Sequence, residues 1–430
     1  MVKRKLREPL EDRKGNLYFD GFSVKELAQK YDTPLYVISE KRIRENYNRL
    51  HDAIVAKYKD LRIYYACKAN TNLTVLKILQ SEGAYLDAVS PGEVFLGLSS
   101  GFTPDRILFT GTSVRNDELK FLAGAGITVN IDSQSELDRL LKISVPPIIS
   151  VRVNPEVGAG HHDHCITAGP QTKFGLWEEE AIKAYATAKK ARVERFGIHM
   201  HIGSGILKID PYVQAVEKFL SIAKRIHDEL GITFDFIDIG GGLGVPYQPK
   251  DKDLDLSEFA TKVVSLFKTK VKEYGLGKPF LCIEPGRYLV CDASILLTTV
   301  NTVKITPHRK FIGVDAGFNT LVRPAMYGSY HPILVADKLN PEETETFDVA
   351  GPLCESGDLL AKDRELPLVN EGDVLAVLNA GAYGFSMSSQ YNSRPRAAEV
   401  MIRQGKTVLV REREQLQDLL TSQRMAQQSE

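Results

Sequence analysis

For about 250 residues this chain alternates short apolar runs with amphipathic segments, and few folds accommodate so regular a rhythm. The runs lie at Ile63–Ala66, Tyr85–Val89, Ile107–Thr110, Thr128–Ile131, Ile148–Val153, Gly197–His201, Phe234–Ile239 and Phe280–Ile283. Between them, helical periodicity marks Thr74–Ser81, Glu93–Ser99, Asp117–Ala123, Ser133–Leu141, Glu178–Lys190, Tyr212–Glu229 and Leu256–Glu273. Eight strands alternating with helices predict an α/β architecture, a (β/α)8 TIM-type barrel. A doubly wound open sheet is the competing reading. The barrel is favoured because polar candidates follow strands spread across the whole series.

Past Cys291 the rhythm changes. Strand-like runs at Ser294–Ile305, Lys310–Val314, Phe347–Ala350, Val374–Leu378, Glu399–Arg403 and Lys406–Arg411 follow one another with turn residues between them and no long helices. Before the barrel, Leu17–Phe19 reads as extended, Ser23–Tyr31 as a short helix and Leu35–Ile38 as a strand, and a charged helix opens at Ser39 or Glu40. The tail after Arg411 reads as a polar helix with a frayed end. The expected division is therefore a barrel over 32–292 and a mostly β unit, of barrel or sandwich type, built from 1–31 and 293–430.

Charge and cysteines narrow the class. Fifty-five basic and 55 acidic residues balance to zero, which argues against nucleic acid or an anionic membrane as the main partner. Cys67, Cys165, Cys282, Cys291 and Cys354 are few and scattered, which fits a reducing compartment. The basic N-terminus lacks a signal peptide's apolar stretch, and no run reaches the roughly 18 apolar residues of a membrane span. The sequence reads as cytoplasmic.

The stretch YYACKANTN, Tyr64 to Asn72, carries a lysine where the first strand ends. Lys68 has Ala and Cys as sequence neighbours, so desolvation can lower its pKa and free the amine for Schiff-base chemistry. The small-polar run Ala69 to Asn72 behind it can cap a helix. Strand six ends in HMHIGSG, with His199 and His201 on one side of the strand and Ser204 beyond; two core histidines are the plainer reading. Strand seven ends in DIGGGLG, whose Gly240, Gly241 and Gly242 let backbone approach an anion such as phosphate. Strand eight ends in EPGRYLV, with Glu284 and Arg287; a structural ion pair is the alternative there. A lysine, a glycine loop, an imidazole and a carboxylate together suit pyridoxal phosphate.

YACKAN, HMHIGSG, DIGGGLG and EPGR, in this order, resemble the alanine-racemase-fold (fold type III) decarboxylases that use pyridoxal phosphate. In the β half, RPAMYGSYHPI, GPLCESGDLL and NAGAYGFSMSSQYNSRPRAAEV are similar to the diaminopimelate decarboxylases within that group. The resemblance covers nearly the whole chain. It implies a carboxy-lyase that converts meso-2,6-diaminopimelate to L-lysine and carbon dioxide, the last step of lysine biosynthesis.

Residue by residue, the resemblance implies that Lys68 carries the cofactor and that His201 stacks on its ring, while His199 is structural. Ser204, Gly240, Gly241, Gly242 and the Gly286–Arg287 backbone would cradle the phosphate, and Glu284 would keep the ring nitrogen charged. Tyr383 would touch phosphate or substrate. Arg287, Arg323 and Tyr327 would clamp the distal carboxylate, Glu355 would bind the distal ammonium, and Cys354 would reprotonate the α-carbon. In the resembled family Cys354 and Glu355 reach in from the partner, which implies a homodimer with shared sites.

One stretch departs from the commoner family form. His161, His162, His164 and Cys165 crowd the loop GAGHHDHCITAGPQTKFG at a spacing that suits metal ligands. The reaction needs no metal, so none is expected, and a mobile loop over the site, fixed near Lys173–Gly175, is the preferred reading. Among rivals, a same-fold decarboxylase of ornithine, arginine or a D-amino acid lacks use for Arg323 with Glu355. A racemase needs a second base where this chain has Cys354–Glu355. A non-enzymatic cofactor-binding protein would resemble the barrel alone, and a decayed regulatory homologue would lack Lys68, Glu284 or Cys354.

Overall fold

The computed structural model describes residues 6–160, 167–169 and 172–426. It divides into two compact units, one formed by 43–246 with 250–289 and the other by 1–42, 247–249 and 290–430.

The first unit is a closed barrel of eight parallel strands, so the open-sheet alternative falls away. Its strands run Leu61–Ala66, Tyr85–Ala88, Ile107–Phe109, Thr128–Ile131, Ile148–Arg152, Arg195–His199, Phe236–Asp238 and Phe280–Ile283. The eighth closes on the first with Ile283 opposite Ile63. The strands read as apolar runs because both faces are covered, by helices outside and by side chains inside. Tyr64, Leu108, Phe236 and Cys282, from four different strands, fill the interior. Gly197 makes room there: a Cβ on it would strike the Phe236 ring.

Local rules set the helix starts. Asn72 caps the Leu73–Ser81 helix by accepting the Thr74 N–H at 2.9 Å, as the small-polar run suggested. Ser90 and Ser133 accept the N–H groups of Glu93 and Glu136, whose carboxylates reach back to the N–H groups of Val89 and Asp132. The expected Leu256–Glu273 helix is interrupted by a π-helical turn at Ala260–Val264.

In the second unit, a nine-stranded sheet is centred on Ser294–Ile305, a 12-residue strand. Its first half pairs with Leu35–Ser39 and Val374–Val377, and its second with Lys310–Val314 after a register shift between Val300 and Thr302. Alternate residues enter two cores: Leu296 and Val300 one, Ile295 and Leu297 the other. Burial on both faces explains the unbroken apolar run there. Leu359–Pro367 and Ile333–Val335 are further strands not foreseen from the sequence; the former lies at a sheet end, where its charged residues are tolerated. The tail beyond Arg411 is not the expected polar helix. Among its described residues, 412–426, it forms only a 3-10 turn at Leu416–Leu420, with both terminal leucines exposed, because a short polar segment that buries no apolar face does not sustain a helix. Among the described residues no helix is long and apolar enough to cross a membrane.

Candidate active site

Lys68 sits in a single 3-10 turn, Cys67–Ala69, at the carboxyl end of the first barrel strand. The turn is held from both sides. Tyr65 Oη donates to the Asn70 carbonyl at 2.9 Å, and Asn70 Oδ1 accepts the Asn72 N–H at 3.0 Å. Gly286 presses on it: a Cβ there would lie 3.1 Å from the Cβ atoms of Ala66 and Ala69.

The Lys68 amine is not in the charge-poor setting its sequence neighbours suggested. Its Nζ lies 2.9 Å from Oδ2 of Asp87, a fully buried carboxylate on the second strand that also accepts from Thr110 Oγ1. Burial and the nearby Glu284 raise the Asp87 pKa, against the pull of Lys68. Asp87 is the main site residue that sequence reasoning missed. Its one signal is an acid inside an otherwise apolar strand, YLDA.

Glu284, at the end of the eighth strand, is buried. His199 Nε2 meets its Oε2 at 3.1 Å, while Oε1 is buried and, among the described residues, has no hydrogen-bond partner. Burial pushes this carboxyl up, but His199, Lys68 and His201 outweigh it and hold Glu284 below the usual carboxylate range. Asp238 behaves oppositely. Burial and Glu284 push it well above that range, and its Oδ1 accepts the Gly240 N–H at 2.8 Å. His199, Asp238 and Glu284 put ligating atoms within 4.8 Å of one another. His199 is bonded to Glu284 and Asp238 accepts the Gly240 N–H, so the three side chains are tied into one hydrogen-bonded cluster.

His201 accepts the Gly241 N–H at Nδ1, 3.1 Å away, which puts the proton of the neutral ring on Nε2. Desolvation and the Arg152 cation push this imidazole down to about 3. Arg287 donates from Nη2 to Ser204 Oγ at 3.2 Å, joining the ends of strands six and eight.

Pyridoxal phosphate needs an amine, a charged carboxylate for its ring nitrogen and an anion cradle, and each has a counterpart here. Lys68 is the amine. Glu284, ionised and with one buried oxygen unsatisfied, suits a ring N–H donor. The glycine triplet lines the cradle: a Cβ on Gly240 would strike the Met200 carbonyl, one on Gly241 the Glu284 carbonyl, and one on Gly242 would come 2.6 Å from the Gly203 carbonyl. The Gly240 and Gly241 N–H groups are given to Asp238 and His201, so these two glycines would shape such a cradle rather than donate to it.

In the β unit, Arg323 opens a short helix, Arg323–Tyr327, and is buried. Its guanidinium lies 5.3 Å from the Tyr327 ring centroid and 5.6 Å from that of Tyr383, and donates to Ser329 Oγ at 3.2 Å. Tyr383 takes a φ of 58°, a left-handed conformation that a bulky residue holds only where its surroundings enforce it. Cys354 and Glu355 are exposed on the 351–358 loop. His161, His162, His164 and Cys165 lie outside the described residues. At the loop's flanks, Thr167 Oγ1 donates to the His201 carbonyl at 3.0 Å and the Gly175 N–H to Asp132 Oδ1 at 2.8 Å.

Residues 40–291 match a family model described as pyridoxal-dependent decarboxylase, pyridoxal binding domain. The chain is similar to the diaminopimelate decarboxylase of Methanothermobacter thermautotrophicus, with 59% identity covering 95% of this chain and 96% of the relative. Among solved structures, the diaminopimelate decarboxylase of M. jannaschii matches with a TM-score of 0.90 at 35% identity, covering 97% of this chain and 98% of that one. A co-complex of that enzyme with L-lysine matches with a TM-score of 0.90 at 34% identity, covering 99% of each chain. A fold shared over nearly the full length, together with this identity, settles the assignment: the chain belongs to the diaminopimelate decarboxylase family of pyridoxal-phosphate-dependent carboxy-lyases.

Proposed function

We propose that the protein decarboxylates meso-2,6-diaminopimelate to L-lysine and carbon dioxide, the closing step of lysine biosynthesis. The observation that carries the chemistry is Glu284, kept ionised in a buried setting with Oε1 unsatisfied among the described residues. Bound beside it, pyridoxal phosphate supplies an electron sink for the pair left on the α-carbon as carbon dioxide departs. Lys68 would hold the cofactor covalently, and Asp87 Oδ2, 2.9 Å from its Nζ, would steady its ammonium whenever the amine is free. His201, fixed by the Gly241 N–H, would offer the face of a neutral imidazole to the cofactor ring. Ser204, the Gly240–Gly242 turn, the Gly286–Arg287 backbone and Tyr383 would receive the phosphate.

Substrate choice rests on the distal end. Arg287, Arg323 and Tyr327 take the distal carboxylate, a task suited to a guanidinium's fork of donors, and Tyr383 borders the substrate. Glu355 takes the distal ammonium, and Cys354 Sγ delivers a proton to the α-carbon. Ornithine has no carboxylate for Arg323 to meet. The working unit we propose is a homodimer in which Cys354 and Glu355 complete the partner subunit's site; their exposure on the 351–358 loop supports this. Among the described residues, Cys67, Cys282 and Cys354 form no disulfide, which supports a reducing cytoplasm as the setting.

The test is product analysis. The holoenzyme should form L-lysine and carbon dioxide in equal amounts from meso-diaminopimelate and leave the configuration of added L-lysine unchanged. Interconversion of L- and D-lysine without gas release would make the protein a racemase instead.

A further inference from the structure

The 351–358 loop places its two proposed working residues on an exposed surface, where packing does not fix a side chain. Its backbone is folded around Asp358, which is buried and accepts the N–H groups of Phe318 at 2.6 Å and Leu353 at 2.8 Å. That fixes the loop's base but not the tip that carries Cys354 and Glu355. The tip is gripped by the segment 389–394. Tyr391 Oη donates to Glu355 Oε1 at 2.6 Å, and its ring stacks on Phe318 with centroids 5.5 Å apart. Asn392 Oδ1 accepts the Cys354 N–H at 2.8 Å, and Arg394 Nη2 donates to the Pro352 carbonyl at 3.4 Å. To reach these three partners the segment turns through two consecutive left-handed residues, Asn392 at φ 56° and Ser393 at φ 54°. Such backbone costs free energy and persists only where the surroundings enforce it. The Ser389 N–H donates to the Asn319 carbonyl at 2.9 Å, which ties the segment to the turn that bears Phe318.

We propose that Tyr391 is a positioning residue for substrate recognition, aiming the Glu355 carboxylate by engaging Oε1 and leaving Oε2 to meet the distal ammonium, while Asn392 fixes the backbone of Cys354 beside it. This rests on the reading of Glu355 as the ammonium partner. A phenol bonded to one oxygen selects a single carboxylate rotamer, so the ammonium does not have to order a freely turning side chain on binding. The Phe318 stack holds the phenol in turn.

Tyr391→Phe keeps the stack and removes only the hydroxyl. In the pyridoxal phosphate holoenzyme it should raise KM for meso-diaminopimelate about tenfold, with kcat within roughly twofold of the parent. With 2-aminopimelate, which keeps the distal carboxylate but lacks the distal amine, Tyr391→Phe should match the parent enzyme. In a Glu355→Gln background, itself raised in KM, adding Tyr391→Phe should change little. If Glu355→Gln raises KM while Tyr391→Phe does not, or if the two effects simply add, the positioning role is overturned and the ammonium reading stands. If Glu355→Gln leaves KM untouched, the ammonium reading fails and takes this inference with it.

Discussion

His199 Nε2 lies 3.1 Å from Glu284 Oε2, and among the described residues the other oxygen of that buried carboxylate has no hydrogen-bond partner. A charge held in that state is available to a cationic ring nitrogen. Glu284→Gln keeps the shape and removes the charge. It should lower kcat by about a hundredfold or more, the scale seen when a preorganised electrostatic group is lost. Steady-state decarboxylation checks this, with a melting curve showing that the variant stays folded.

Arg323 is buried, its guanidinium 5.3 Å from the Tyr327 ring centroid and 5.6 Å from that of Tyr383. Arg323→Lys preserves the charge but loses the planar fork that grips both carboxylate oxygens. KM for meso-diaminopimelate should rise about a hundredfold with a smaller change in kcat, read from initial rates.

At Gly241, an added methyl meets the Glu284 backbone carbonyl, which cannot swing aside as a flexible side chain would. Gly241→Ala should cost about 1–3 kcal/mol of stability by overpacking and loosen the cofactor. Cofactor absorbance that stays with the protein through gel filtration, set beside the melting temperature, measures both.

Glu136 supplies a pH signature away from the chemistry. Burial pushes its carboxyl from 4.5 up to about 7, against the bond from the Asp132 N–H. Between those two values the folded chain binds more protons than the unfolded chain, so this group's stabilising share is present at low pH and lost as pH rises from 4.5 to about 7. Glu136→Gln does not titrate. Its stability relative to the parent should therefore improve across that window, by on the order of 3 kcal/mol at most, and level off above it. Paired denaturant titrations at several pH values would show a flat difference if Glu136 titrates normally.

The barrel could be read from the chain because its strands are buried on both faces and appear as apolar runs, while Lys68, His201, Gly240–Gly242 and Glu284 each follow one of them. What escaped reading depends on contacts between residues far apart in sequence. Asp87 reaches Lys68 because Ala66 pairs with Asp87 across two parallel strands, a register that no local spacing reveals. Tyr391 meets Glu355 only through a loop folded around Asp358. Leu359–Pro367 escaped because an edge strand does not need an apolar pattern.

The central claim is that this chain's site removes a carboxyl group from meso-diaminopimelate and is matched to its distal end. Carbon dioxide release by the purified holoenzyme from meso-diaminopimelate, with L-ornithine in parallel, tests it most directly. The account predicts release from the first alone, abolished in Lys68→Ala and crippled in Arg323→Ala. Release from ornithine, or an Arg323→Ala enzyme as fast as the parent, would contradict it.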